Sequence, residues 1–132
     1  MWLIDGQQAP DSEVPVVCAT TDMLTAMFMA VIPPNRLGVG YMPSQDGRVN
    51  FWIHHSRLEE VLHNLGYVAS LGPVGFELHD GSYPQGREPS LLPRLPEWRR
   101  TRPVLATYIL QVNGANFLHR ALASPDHHLR VT

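Results

Sequence analysis

Apolar positions along this chain come in short blocks, and the spacing inside each block predicts its local structure. VPVVCA (14–19) is β-branched, apolar and short, and reads as a buried strand. Residues 22–32 are apolar nearly all round, the pattern of a short helix covered on every side. Thr20 or Thr21 stands where a cap is needed, with Asp22 in the first turn facing the positive helix end. Pro33 and Pro34 end the helix.

LGVGYM (37–42) and RVNFWI (48–53) are strand-like runs around Asp46-Gly47, a good hairpin signal because glycine tolerates positive φ. Val49, Phe51 and Ile53 alternate onto one face, and Asn50 and Trp52 onto the other. SRLEEVLHNL (56–65) predicts a helix, with Ser56 and Glu59 as a capping box. Leu58, Val61, Leu62 and Leu65 form its apolar stripe, and Gly66 ends it. YVAS (67–70) and VGFEL (74–78) read as strands around Gly72-Pro73.

Residues 79–103 break the pattern. His79-Asp80-Gly81 reads as a turn, and five prolines follow between 84 and 103. VLATYILQV (104–112) then predicts a strand with apolar residues on both faces, which suits a central position or a dimer seam. Asn113 stands to cap a helix over 114–123, with Leu118, Ala121 and Leu122 inward. DHHLRVT reads as a tail.

From 14 to 78 the element order is β-α-β-β-α-β, the split βαβ order of ferredoxin-like folds. The expected fold is therefore α+β, in a single domain over 1–132. It comprises a ferredoxin-like body (14–78), a Pro/Arg-rich loop (79–103) and a strand–helix extension (104–123).

Composition narrows the chemistry. The 44% hydrophobic and 17% charged content is that of a globular chain. All ten basic residues are arginine, in keeping with a GC-rich coding bias; with no lysine, neither a Schiff base nor a Walker A phosphate site is available. Cys18 is the one cysteine, which excludes an intramolecular disulfide and a cysteine-based zinc cluster. MWLIDGQQAP lacks a basic n-region and a long apolar run, so no signal peptide is expected, and a cytoplasmic setting is the default. No block reaches the roughly 20 apolar residues of a membrane span. Net charge is −3 over 1–50, −3 over 51–90 and +4 over 91–132, an acidic body with a basic last third. That dipolar pattern suits a partner or a second copy.

Several residues invite a chemical reading. Cys18 lies near a strand-to-helix turn, where a helix N-terminus would favour a thiolate, with His54, His55 or His79 as base. Free cysteine is more often a buried small hydrophobe. The pairs His54-His55 and His127-His128 are poor chelates if they lie on strands, where neighbours diverge, and His63 and His119 fall on helices. His127-His128 reads as part of a flexible tail. The glycines of Asn35–Gly40 sit between helix and strand, the reverse of a phosphate loop. Glu59 and Glu60 diverge on a helix. Tyr41, Phe51 and Trp52 invite comparison with an RNA-stacking sheet, but only Arg36 and Arg48 accompany them. No metal, cofactor or catalytic residue is assigned, and nucleic acid is disfavoured.

LLPRLPEWRRTRP (91–103) is the segment best suited to contact a partner. Proline-stiffened backbone loses little entropy on binding, and Trp and Arg are enriched in interface hot spots. The expectation is a protein-binding module (an inhibitor, adaptor or regulatory subunit) in which Arg94, Trp98, Arg99, Arg100 and Arg102 meet an acidic protein surface. A homodimer through 104–112 is also expected as an option. The opposing reading makes the segment a strap over the domain's own sheet, with Leu91, Leu92, Leu95 and Trp98 filling the core edge. The rivals are an enzyme using Cys18 or a histidine under the 79–103 loop, and a nucleic-acid binder.

Overall fold

A computed structural model describes residues 1–4, 16–44, 46–79 and 97–132. Trp2–Ile4 forms strand β1 and Val17–Thr20 strand β2. Helix α1 follows at Met23–Val31. Val39–Pro43 and Val49–Ile53 are the hairpin strands β3 and β4. A 3-10 turn at His55–Arg57 leads into helix α2, Leu58–His63. Strands β5 (Leu65–Leu71), β6 (Glu77–His79), β7 (Glu97–Arg100) and β8 (Ala106–Asn113) come next. Helix α3, Gly114–Ala123, and strand β9, His127–Val131, complete the described fold.

These strands form two sheets. One runs β6-β7-β2-β1-β5-β8, with every neighbouring pair antiparallel. The other runs β3-β4-β9, with β9 parallel to β4. Helix α1 packs on β1, β2, β5 and β8 of the larger sheet, while its Phe28 packs on Tyr41 and Phe51 of the smaller one. The helix is apolar all round because it is a filling between two sheets. Phe28, Phe51 and Phe117 of α3 meet with ring centroids 5.0–5.3 Å apart, all essentially inaccessible. Val31, Ile53, Val61 and Val68 close around them.

The architecture is thus α+β with three helices, but it does not confirm the ferredoxin-like topology. The order from β2 to β5 is the expected one. Its strands, however, divide between the sheets: β2 and β5 join the larger sheet with β1 between them, and the β3–β4 hairpin joins the smaller with β9. A sandwiched α1 needs cover on both sides, and a single sheet supplies only one.

The local expectations fared unevenly. The hairpin forms as read, with Gly47 at φ 84° and Val49, Phe51 and Ile53 buried. Asp46 takes hydrogen bonds from the Ser44 hydroxyl and the Arg48 amide, which hold its carboxyl below the ordinary value. Helix α3 has the expected bounds, capped by Asn113 at 2.7 Å from the Asn116 amide. Leu122, expected inward, is exposed, and Phe117 is buried instead. The cap of α1 is Asp22 itself, not Thr20 or Thr21.

The helix expected over 56–65 is cut at both ends. Its Ser56–Glu59 capping box does not form, because Ser56 lies in the 3-10 turn and gives its amide to His54 Nδ1. At the far end Asn64 stops α2, donates to the Val31 carbonyl at 2.8 Å and accepts the Gly114 amide. Leu65 and Gly66 are recruited into β5. Gly66 is no helix terminator: a Cβ there would strike the Ala30 carbonyl of α1, so glycine is needed for close approach. Strand β8, expected at a central position or a dimer seam, lies at the edge of its sheet rather than in its centre, and the expected tail is strand β9. β1 and β7 were not expected at all.

Phe28→Ala removes the ring shared by both sheets and α3, and is expected to cost about 3–5 kcal/mol. The shift of the urea unfolding midpoint at unchanged slope measures it.

Candidate functional site

The residues expected to contact a partner are dispersed. Arg94 lies outside the described residues, as do Leu91, Leu92 and Leu95. Trp98, Arg99 and Arg100 lie on β7, between β2 and β6. Alternation turns Trp98 to the face opposite α1, where it packs half-buried with Ala19, Leu71 and Phe76. Arg99 faces the other way and pairs with Glu97 at 2.7 Å, both side chains mostly covered. Arg100 donates Nη1 to the Val74 carbonyl at 2.8 Å, and its buried Nε meets no acceptor among the described residues. Arg102 is exposed. β7 therefore spends much of its Arg/Trp content inside the fold, as the strap reading expected for Trp98.

Cys18 sits in β2, 4% exposed, against Ile4, Val16 and Met29. Nearby Tyr41 is held above the ordinary phenol value, chiefly by burial and then by the Glu97 carboxylate, with Arg36 opposing. The 35–37 stretch is gripped by Arg57, which donates to the carbonyls of Asn35 and Leu37 and pairs with Glu60. Its acceptors are thus used by the protein itself. Tyr41 and Phe51 point into the core, and Trp52 lies across Gly40 on the outer face in register with Arg130.

The histidines behave differently from expectation. His54 and His55 follow β4 rather than lying on it, so their rings do not diverge but sit 4.2 Å apart. His55 Nδ1 bonds the Thr132 carbonyl, and His63 and His119 are exposed. Among the described residues no three His, Cys, Asp or Glu side chains converge as metal ligands.

His127, expected in a flexible tail, is the most engaged of all. Its ring stacks on Phe51 at 6° with centroids 5.7 Å apart. Nε2 is 2.8 Å from Asp22 Oδ1, and Nδ1 is 2.7 Å from Ser124 Oγ. The carboxylate accepts from Nε2–H, and Nδ1 shares the ring's second hydrogen bond with the serine hydroxyl. Asp22 also takes the Thr25 amide and the Thr25 hydroxyl, and Ser124 also accepts the Asp126 amide. One imidazole thus ties the start of α1 to the end of α3 and the start of β9. The sequence signal was Ser124 three residues before His127, at the end of a helix.

Several large apolar side chains that are exposed in the described residues lie along β8 and its neighbour β5. Among the described residues β8 pairs only with β5, so one edge of its backbone carries no neighbour. Tyr108 and Leu110 lie on the α1 side, with Tyr108 edge-on to Trp2 at 6.0 Å. On the opposite side Ile109 (61% exposed) continues into Leu65 (65%) and Tyr67 (67%) of β5, and Leu105 just before the strand is 90% exposed. The two apolar faces are legible in VLATYILQV, whereas the position of the strand in the sheet depends on its pairing with β5.

No protein-family model matches the chain, and neither a curated protein nor a solved structure matches it. No helix among the described residues is long and apolar enough to cross a membrane.

Two predictions follow from the polar contacts. Asp22→Ala should cost about 1–2 kcal/mol through the lost cap alone. A double-mutant cycle with His127→Ala should add a coupling of about 1 kcal/mol, read from chemical unfolding. For Tyr41 the folded state favours the neutral phenol. Its contribution is therefore complete below pH about 10 and is lost as pH rises through the elevated folded value. Wild type should lose stability above that pH more steeply than Tyr41→Phe.

Proposed function

We propose that the chain acts by binding protein in the cytoplasm, as an inhibitor, adaptor or regulatory subunit does, and that β8 is its contact. One observation carries this reading: an eight-residue strand at the sheet edge, with no neighbour on its outer side among the described residues and exposed apolar side chains on both faces. Strand edges of that length are ordinarily blunted by charge, proline or cover, and β8 has neither charge nor proline within it. An extended segment added there gains main-chain hydrogen bonds along the strand and apolar contacts on either side. Of the five residues expected at the contact, Arg102 is the one that serves here, exposed four residues ahead of β8 and suited to an acidic group on the partner.

The test is capture from source-organism lysate with wild type, Ile109→Glu and Arg102→Glu as baits, followed by titration of the captured protein in pure form. The expected result is binding abolished by Ile109→Glu and weakened several-fold by Arg102→Glu. Equal affinity for all three would remove β8 from consideration.

The Ser124–His127–Asp22 chain favours a second reading, a hydrolase with Ser124 as nucleophile. Against it, the Asp126 amide is spent on the serine oxygen itself rather than aimed at a reacting carbonyl, and Asp22 is committed to capping α1. A fluorophosphonate probe is expected to leave the protein unlabelled. Labelling that disappears in Ser124→Ala would make the hydrolase the better reading.

A further inference from the structure

We infer that the occupant of the β8 edge is a second copy of this chain, the two β8 strands pairing antiparallel about a twofold axis to join their sheets. The inference rests on the protein-binding reading of the same edge and names its partner.

Charge is the first argument. No Asp, Glu or Arg occurs from Pro103 to Leu118, so a charged partner strand finds no complement along β8. A second β8 brings none either, and self-pairing opposes no like charges across the seam. The strand is apolar on both faces, and the strand that best matches such an edge is itself apolar on both faces. β8 meets that requirement with Tyr108 and Leu110 on one side and Ile109 on the other.

Symmetry is the second argument. An edge that pairs with its own copy about a twofold axis is isologous, so each residue near the axis meets itself or a close neighbour. Eight residues at about 3.4 Å each give a seam of about 27 Å. The stripe of Leu65, Tyr67 and Ile109 then runs on through the second copy's Ile109, Tyr67 and Leu65. Antiparallel pairing also sets the start of each β8, with exposed Arg102, against the end of the other. Beside that end lies α2, where Gly114 packs on the Val61 carbonyl and Glu59 is exposed, next to the Glu60 that pairs with Arg57. The acidic surface wanted by Arg102 is thus one the chain carries itself.

The test is sedimentation velocity over a dilution series. Wild type at high micromolar concentration should sediment at twice the chain mass of 14.8 kDa and revert to monomer on dilution. Ile109→Glu and Ile109→Arg should each stay monomeric, because each sets like charges across the axis. Mixed in equal amounts, the two variants should recover the dimer, since Glu then faces Arg. Val74→Glu, at a residue 80% exposed and outside β8, should dimerise like wild type. Circular dichroism checks that every variant folds.

Wild type monomeric throughout overturns self-pairing, and so does a dimer indifferent to both Ile109 variants. In a monomeric chain, a lysate partner lost with Ile109→Glu would leave the protein-binding reading standing. A monomer without such a partner would sink both.

Discussion

Helix α1 is the constraint on which the rest of the fold depends. Nine residues with threonine as their only polar side chain have no face to give to water, so both sides must be covered. The larger sheet covers one side and the smaller sheet, with α3, the other. The division of the strands into two sheets follows from that demand. So does the glycine in β5, since the sheet can approach the end of α1 only where no Cβ intervenes.

Polar groups then fix the layers relative to one another. Asp22 caps α1 and holds His127, which holds Ser124 and lies flat on Phe51. Asn64 does the same at the other end of α1, where it caps Val31, stops α2 and receives the first amide of α3. Each junction satisfies a terminal backbone group of α1, the Thr25 amide by the Asp22 carboxylate and the Val31 carbonyl by the Asn64 amide, groups that would otherwise lack intrahelical partners. Among the described residues, the β8 edge is a surface that these demands leave open. Its apolar content is not explained by the core, and that is why it carries the functional reading.

Legibility in the sequence tracked locality. The β3–β4 hairpin and α3 were readable because turn chemistry at Asp46-Gly47 and the cap at Asn113 act within a few residues. The all-round apolar character of α1 was readable too, though not what it implied for the sheets. The stripe through Leu58, Val61, Leu62 and Leu65 was real but lost its last member, because pairing of Leu65 with Asn113 outweighed helix continuation. β1, β7 and β9 are short or charged and become strands only through distant neighbours, so no local pattern marked them. The burial of Cys18 was foreseen. The spending of Arg99 and Arg100 inside the sheet was hidden by the prolines around them, and the role of His127 depended on Asp22, a hundred residues away.

Parallel pairing of β4 with β9 joins Phe51 to Leu129 in register. Neither sheet is complete until the last described residues arrive: β8 finishes one and β9 the other. Loop-closure entropy must be met before these contacts return any stabilisation, which places the chain among high contact-order folds. On the ribosome, α1 therefore emerges before either of its two covers is complete. Its apolar surface stays exposed until the C-terminal strands follow, an interval in which a chaperone, or a neighbouring nascent chain, has access to it.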